Sequence, residues 1–166
     1  LRARLEGAGM AVPRVVAGGS FSFAFYARTE GFHGSPGTVV YWDLNGTTSM
    51  ADQPFRWAAM VLCQVVDRHP GQLTVTTDLG YKAIAGDPPL ASRARLLANM
   101  EAHLVLQNEE HGVFHWPGEG LPEIGDFLLA VPGHVCPTTI RYPGSYVIDG
   151  DGAVIDYYPH TARDRQ

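Results

Sequence analysis

Lysine is almost missing from this chain: Lys82 is the only one in 166 residues, and no run of arginines compensates for it. A surface that tracks nucleic-acid phosphates, or one drawn to anionic lipid, needs clustered cations, and a net charge of -5 opposes both. Long apolar runs are also absent. None approaches the roughly 20 residues that a membrane-spanning helix requires, and the first residues lack the charged-then-apolar order of a signal peptide. The expectation is a cytoplasmic protein whose partner is a small molecule or another protein. Cysteine is scarce too. Cys63 lies in an apolar run, whereas Cys136 follows a histidine by two positions, so two free thiols are expected in place of a disulfide.

Turn-forming residues, by contrast, are plentiful. With 19 glycines, 12 prolines and 17% charged residues, the composition describes short strands joined by turns, not a helical bundle or a disordered tail. The length suits one compact domain and a tail. Residues 1–10 have helical spacing, and 13–17 form a β-branched run that stops at Gly18 and Gly19. The chain opens at Leu1 in mid-pattern, so further sequence is expected upstream. Residues 21–36 have no clean period and are expected to form a loop or linker, with a new domain starting near Gly37.

From there eight short apolar segments are bounded by turn residues, at 38–42, 58–66, 73–77, 103–106, 112–115, 127–131, 146–148 and 154–158. That many strands in so short a stretch predict an antiparallel β-barrel or sandwich. Gly150-Asp151-Gly152 is a hairpin turn between the last two. Residues 89–101 offer the one plausible helix.

The stretch richest in chemistry is Val131-Pro132-Gly133-His134-Val135-Cys136-Pro137-Thr138-Thr139. If it is extended, residues two apart face the same side, and His134 and Cys136 present an imidazole nitrogen and a thiolate to one ion. Zinc accepts both donors, and two ligands from one segment leave positions for water or substrate. An H-x-C pair also arises by chance, in which case Cys136 is a packed thiol and His134 a hydrogen-bonded ring.

The surroundings of this pair resemble the D-serine dehydratase and D-threonine aldolase family of pyridoxal-phosphate enzymes, which have an alanine-racemase-like fold. His134-Val135-Cys136-Pro137-Thr138 is similar to the family's H-x-C, proline-threonine segment. Thr77-Asp78-Leu79-Gly80-Tyr81-Lys82-Ala83 resembles its aspartate, glycine, lysine-alanine segment, and Glu109-Glu110-His111-Gly112 its E-E-H-G segment. Gly125-Asp126 and Ala162-Arg163 also fit. Pro36-Gly37-Thr38 leading to Asp43 resembles the start of the family's β-domain, although Val39 stands where tyrosine is expected.

The resemblance implies that residues 1–36 are the last helix and strand of a (β/α)8 barrel plus a linker, and that 37–166 is the metal-binding β-domain. It implies zinc on His134 and Cys136. It also implies pyridoxal phosphate, held mostly by the upstream barrel, with Gly18, Gly19 and Ser20 wrapping its phosphate; a turn after a strand is the plain alternative for those three. The Schiff-base lysine belongs to that barrel, so Lys82 is expected in a salt bridge or subunit contact, and the isolated chain is expected to be inactive.

The implied substrate is a β-hydroxy D-amino acid, and the implied partners are the chain's own barrel and a second copy in a homodimer. Metal on the β-hydroxyl would serve dehydration to a 2-oxo acid and ammonia, or retro-aldol cleavage to glycine and an aldehyde. Cys136, where aldolase-type members can carry a carboxylate, tilts the reading toward dehydration. A zinc-binding or packing module without turnover is the alternative for the chain alone, and a racemase-like domain using tyrosine is a third reading. His111 is a candidate catalytic residue, a third metal ligand or part of a polar turn. His33, His69, His103 and His160 have no spacing that suggests a site.

Overall fold

The amino-terminal segment folds on itself before the barrel begins. In the computed structural model, which describes residues 1–163, helix α1 (Arg2–Gly7) carries an Arg2–Glu6 pair at 3.0 Å one turn apart. Strand β1 (Val15–Gly18), helix α2 (Ser20–Tyr26) and strand β2 (Phe32–Ser35) follow, and β1 and β2 pair in parallel from Val15↔Phe32 to Gly18↔Ser35. The loop expected over 21–36 is therefore wrong. The aromatic cluster at Phe21, Phe23, Phe25 and Tyr26 masks any helical period, and long-range contacts decide the structure instead. Tyr26 stacks on Phe32 at 5.0 Å, and Phe23 lies over Gly34 so closely that a Cβ there would sit 3.1 Å from its ring.

A second correction falls at 38–42. The expected strand is a 3₁₀ turn over Thr38–Val40, after which Trp42 adopts a left-handed φ of +57°. Helix α3 (Leu44–Ser49) then starts at Asp43, whose side chain caps it by accepting from the Gly46 amide at 2.7 Å. Trp42 is buried against Gly46, where a Cβ would lie 3.0 Å from the indole.

The remaining strands are β3 (Val61–His69), β4 (Thr74–Thr77), β5 (Ala94–Leu96), β6 (His103–Gln107), β7 (Gly112–His115), β8 (Phe127–Pro132), β9 (Gly144–Ile148) and β10 (Val154–Pro159). Seven of the eight predicted segments recur among them. Six strands form one antiparallel sheet in the order β5-β8-β3-β4-β7-β6, and its two edge strands approach each other to make a nearly closed barrel. The long strand β3 joins its halves: Val61 to Gln64 pair with β8, and a register shift between Val65 and Asp67 hands the rest to β4.

The helix expected over 89–101 is also wrong. That stretch is a 3₁₀ turn at Leu90–Ser92 followed by β5, whose Ala94 and Leu96 point into the core while Arg95 points away. Period-two burial against β8 outweighs the weak helical propensity. Alternation places Val61, Cys63 and Val65 of β3, Val75 of β4, Phe114 of β7 and Leu128 of β8 in a common core with Leu79, Ile84 and Trp116. Strands β9 and β10 form a separate antiparallel hairpin, in which Asp149 Oδ1 accepts from the amides of Asp151 and Ala153, and Gly152 takes a φ of +84°. The last three residues of the expected 37–166 unit lie outside the described residues. No helix among the described residues is long and apolar enough to cross a membrane.

Phe114 is fully buried at the centre of this core. Phe114→Ala is expected to lower stability by about 3–5 kcal/mol, read as a fall in the urea midpoint with an unchanged slope.

Candidate active-site cleft

His134 and Cys136 sit where β8 leaves the barrel, and the local sequence holds them there from several sides. Gly133 packs so tightly on the Ser92–Arg93 backbone that a Cβ would collide with the Ser92 carbonyl oxygen, and its amide donates to Arg93 O at 2.7 Å. His134 has extended backbone and caps the short helix α4 (Val135–Thr139). Thr138 fastens the helix to the barrel: its hydroxyl donates to His134 O at 2.8 Å and accepts from the Ala85 amide at 3.1 Å. Asp43 completes the arrangement, because its Oδ2 accepts from the Val135 amide at 2.9 Å while Oδ1 caps α3.

The expected geometry of the H-x-C pair needs correction. Only His134 is extended; Cys136 lies in the first turn of α4, so the two side chains do not project by strand alternation. They nevertheless line one cleft of about 740 Å³, together with Tyr81, Asp87, Arg93 and Arg141. Within it, His134 Nδ1 is 2.6 Å from Asp87 Oδ2, and no hydrogen bond to Nε2 is formed among the described residues. A carboxylate on Nδ1 orients the imidazole and leaves Nε2 as its free nitrogen. Cys136 is exposed, and its Sγ lies 3.5 Å from the Thr38 hydroxyl. A second, smaller cleft of about 350 Å³ on the α3 side shares Asp87 and His134 with the first.

Two guanidinium groups also line the cleft. Arg93 is held by Pro88 O at 2.9 Å and Gln107 Oε1 at 3.0 Å, and Arg141 Nε reaches Tyr81 O at 3.4 Å. Neither guanidinium meets a carboxylate among the described residues, so the pair suits an anionic ligand.

The other candidates lie elsewhere. His111 is at the β6–β7 turn, where its carbonyl accepts from the Asn108 amide at 2.8 Å, and it does not line either cleft. Glu109 and Glu110 hold Lys82, at 2.9 and 2.6 Å, and these carboxylates raise the lysine's pKa. Gly18, Gly19 and Ser20 form the turn from β1 into α2. Space around Gly18 is open, a Cβ at Gly19 would meet the Ser22 hydroxyl at 3.8 Å, and the Ser20 hydroxyl is buried without a hydrogen-bond partner among the described residues. Asp87 and the two arginines escape sequence reasoning because no local pattern links them to residue 134, some 47 positions away in the case of Asp87.

The barrel, its hairpin and this cleft define a mainly antiparallel β-domain. Residues 58–148 match the family described as "Putative serine dehydratase domain", and the chain belongs to that family. A D-threonine aldolase from Arthrobacter sp is 29% identical over 96% of this chain and 42% of its own length. An uncharacterized protein of Mycobacterium tuberculosis is 30% identical over 71% of this chain and 90% of its own. Among solved structures, D-threonine aldolase from Filomicrobium marinum superposes with a TM-score of 0.84 at 24% identity, covering 98% of this chain and 44% of that one. D-threo-3-hydroxyaspartate dehydratase from Delftia sp. HT23 does so with a TM-score of 0.74 at 20% identity, covering 95% and 46%. The chain thus spans less than half the length of these enzymes.

The two thiols are chemically distinct. Burial, then the nearby Asp78 carboxylate, pushes Cys63 up to about 12, and its Sγ lies 3.5 Å from Leu128 O. In the native chain at pH 8, iodoacetamide is expected to modify Cys136 alone, with Cys63 reacting only after denaturation, as read by peptide mass spectrometry. Because the folded thiol stays protonated between the ordinary value of 9.0 and about 12, Cys63 is expected to lower stability as pH rises through that window. Asp43→Asn is expected to cost about 1–3 kcal/mol, since an amide nitrogen would face a backbone N–H that now finds a carboxylate oxygen; the urea midpoint reads it.

Proposed function

We propose that this chain is the carboxy-terminal part of a pyridoxal-phosphate- and zinc-dependent lyase acting on β-hydroxy D-amino acids, and that His134 and Cys136 are its zinc ligands. The observation that carries the reading is the donor set in the cleft: an imidazole oriented by Asp87 through Nδ1, and an exposed thiol, both lining it. Nitrogen and sulfur donors suit zinc and exclude magnesium and calcium, which take oxygen ligands. No group of three or more His, Cys, Asp or Glu side chains able to hold a metal converges among the described residues. The chain would therefore supply two ligands, leaving positions for water and substrate. When bound there, zinc would supply Lewis-acid polarisation of the substrate's β-hydroxyl.

The chain's own residues do the positioning. Asp87 fixes the imidazole, Thr38 approaches the sulfur, and Arg93 and Arg141 give the substrate carboxylate a cationic wall. Pyridoxal phosphate, when bound, would supply the electron sink for the bond broken at Cα. Gly18, Gly19 and Ser20 would hold its phosphate, a reading supported by the Ser20 hydroxyl, which lacks a partner among the described residues, and by the open space at Gly18. Lys82 is occupied by two glutamates, so the Schiff-base lysine is assigned to an upstream barrel, and a homodimer is the proposed assembly. Dehydration to a 2-oxo acid and ammonia is the first reading, on the strength of Cys136. Retro-aldol cleavage is the second, favoured by the similarity to D-threonine aldolase along 96% of the chain.

Elemental analysis of the purified chain after zinc loading and dialysis is expected to give about one equivalent. His134→Ala and Cys136→Ala are expected to lose it, and Asp87→Asn to weaken affinity by about 10–100-fold. A zinc-free wild type would leave a packing module as the reading of the domain.

A further inference from the structure

Sequence spacing gives His103 and His115 nothing in common, but the sheet sets them directly opposite each other across β6 and β7. Their ring centroids are 5.4 Å apart with an interplanar angle of 50°. Both rings lie on the outer face of the barrel. Leu104 and Phe114, the neighbours in each strand, point into the core, and the two histidines are half-buried. Neither lines the cleft that holds His134 and Cys136.

The tautomer of one ring is set by its neighbour. His103 Nδ1 lies 3.1 Å from the Glu101 carbonyl oxygen. A carbonyl only accepts, so the hydrogen of the neutral ring sits on Nδ1 and the lone pair on Nε2. That is the arrangement of a metal-ligating histidine, whose other nitrogen donates to a carbonyl or carboxylate.

We propose that His103 and His115 form a second metal site, for a divalent cation such as nickel or copper. The separation fits. With a metal–nitrogen distance of about 2.0–2.1 Å, a ring centroid about 1.2 Å beyond the nitrogen and a tetrahedral angle, two coordinated imidazoles have centroids about 5.2 Å apart. An all-imidazole pair selects such ions over calcium and magnesium, and copper binds tightest in the divalent series. The sheet supplies pre-organisation, because the β6–β7 register fixes both Cα positions before any ion arrives. With two protein ligands, water fills the other positions. His69 lies further along the same row, beyond Thr74, and is engaged by Asp67 at 3.1 Å, so it is not a ligand.

The site is tested apart from the cleft in a His134→Ala/Cys136→Ala chain. Nickel chloride titrated into it by calorimetry is expected to show about one equivalent bound, and His103→Gln or His115→Gln added to it to weaken binding at least about tenfold, whereas His69→Gln leaves it unchanged. Trace copper added to isotope-labelled wild type is expected to broaden amide resonances of β6 and β7 as one of its centres, a readout that does not depend on any variant folding. No nickel bound by the double variant, equal binding after both glutamine substitutions, or no copper broadening at β6 and β7 would overturn the proposal.

Discussion

The Asp43 carboxylate is the constraint on which the rest of this architecture depends. It is buried, and an ionised group out of water is tolerable only with its oxygens hydrogen-bonded. Both are: one oxygen caps α3 and the other takes the first amide of α4, 92 residues further along the chain. A single side chain therefore couples the segment before the barrel to the turn that carries His134 and Cys136. The left-handed Trp42 just before it is held in place by burial against Gly46 and Phe55, the latter ring 5.0 Å away. Such strain persists where surrounding contacts over-determine it.

Much of the barrel was legible in the sequence because most of its strands are apolar segments bounded by glycine, proline or polar turn residues. The errors share a cause. At 21–36, 38–42 and 89–101 the local pattern is weak, and pairing or burial set elsewhere decides the outcome: β2 against β1, Trp42 against Gly46, and β5 against β8. The donor pair was legible as residue types, but not the turn that carries it. Strand alternation was the wrong geometry, and α4 brings both side chains to the cleft by a different route. Asp87 and Thr38 were out of reach for a simpler reason, since the barrel's closure, not spacing, sets them beside residues 134 and 136.

The family relationship places the same unit in proteins of different size. The mycobacterial relative aligns over 90% of its length, whereas the aldolase aligns over 42%. The imidazole, the carboxylate that orients it, the exposed thiol and the two arginines of the cleft all come from this chain.

The hydrogen-bonded His134–Asp87 pair stands between two cavities, contributing a wall to each. A rotation of the imidazole that suits an occupant on the Arg141 side reshapes the space beside Asn45 and Ser92 on the other. A substitution that removes the ring therefore changes the lining of both hollows.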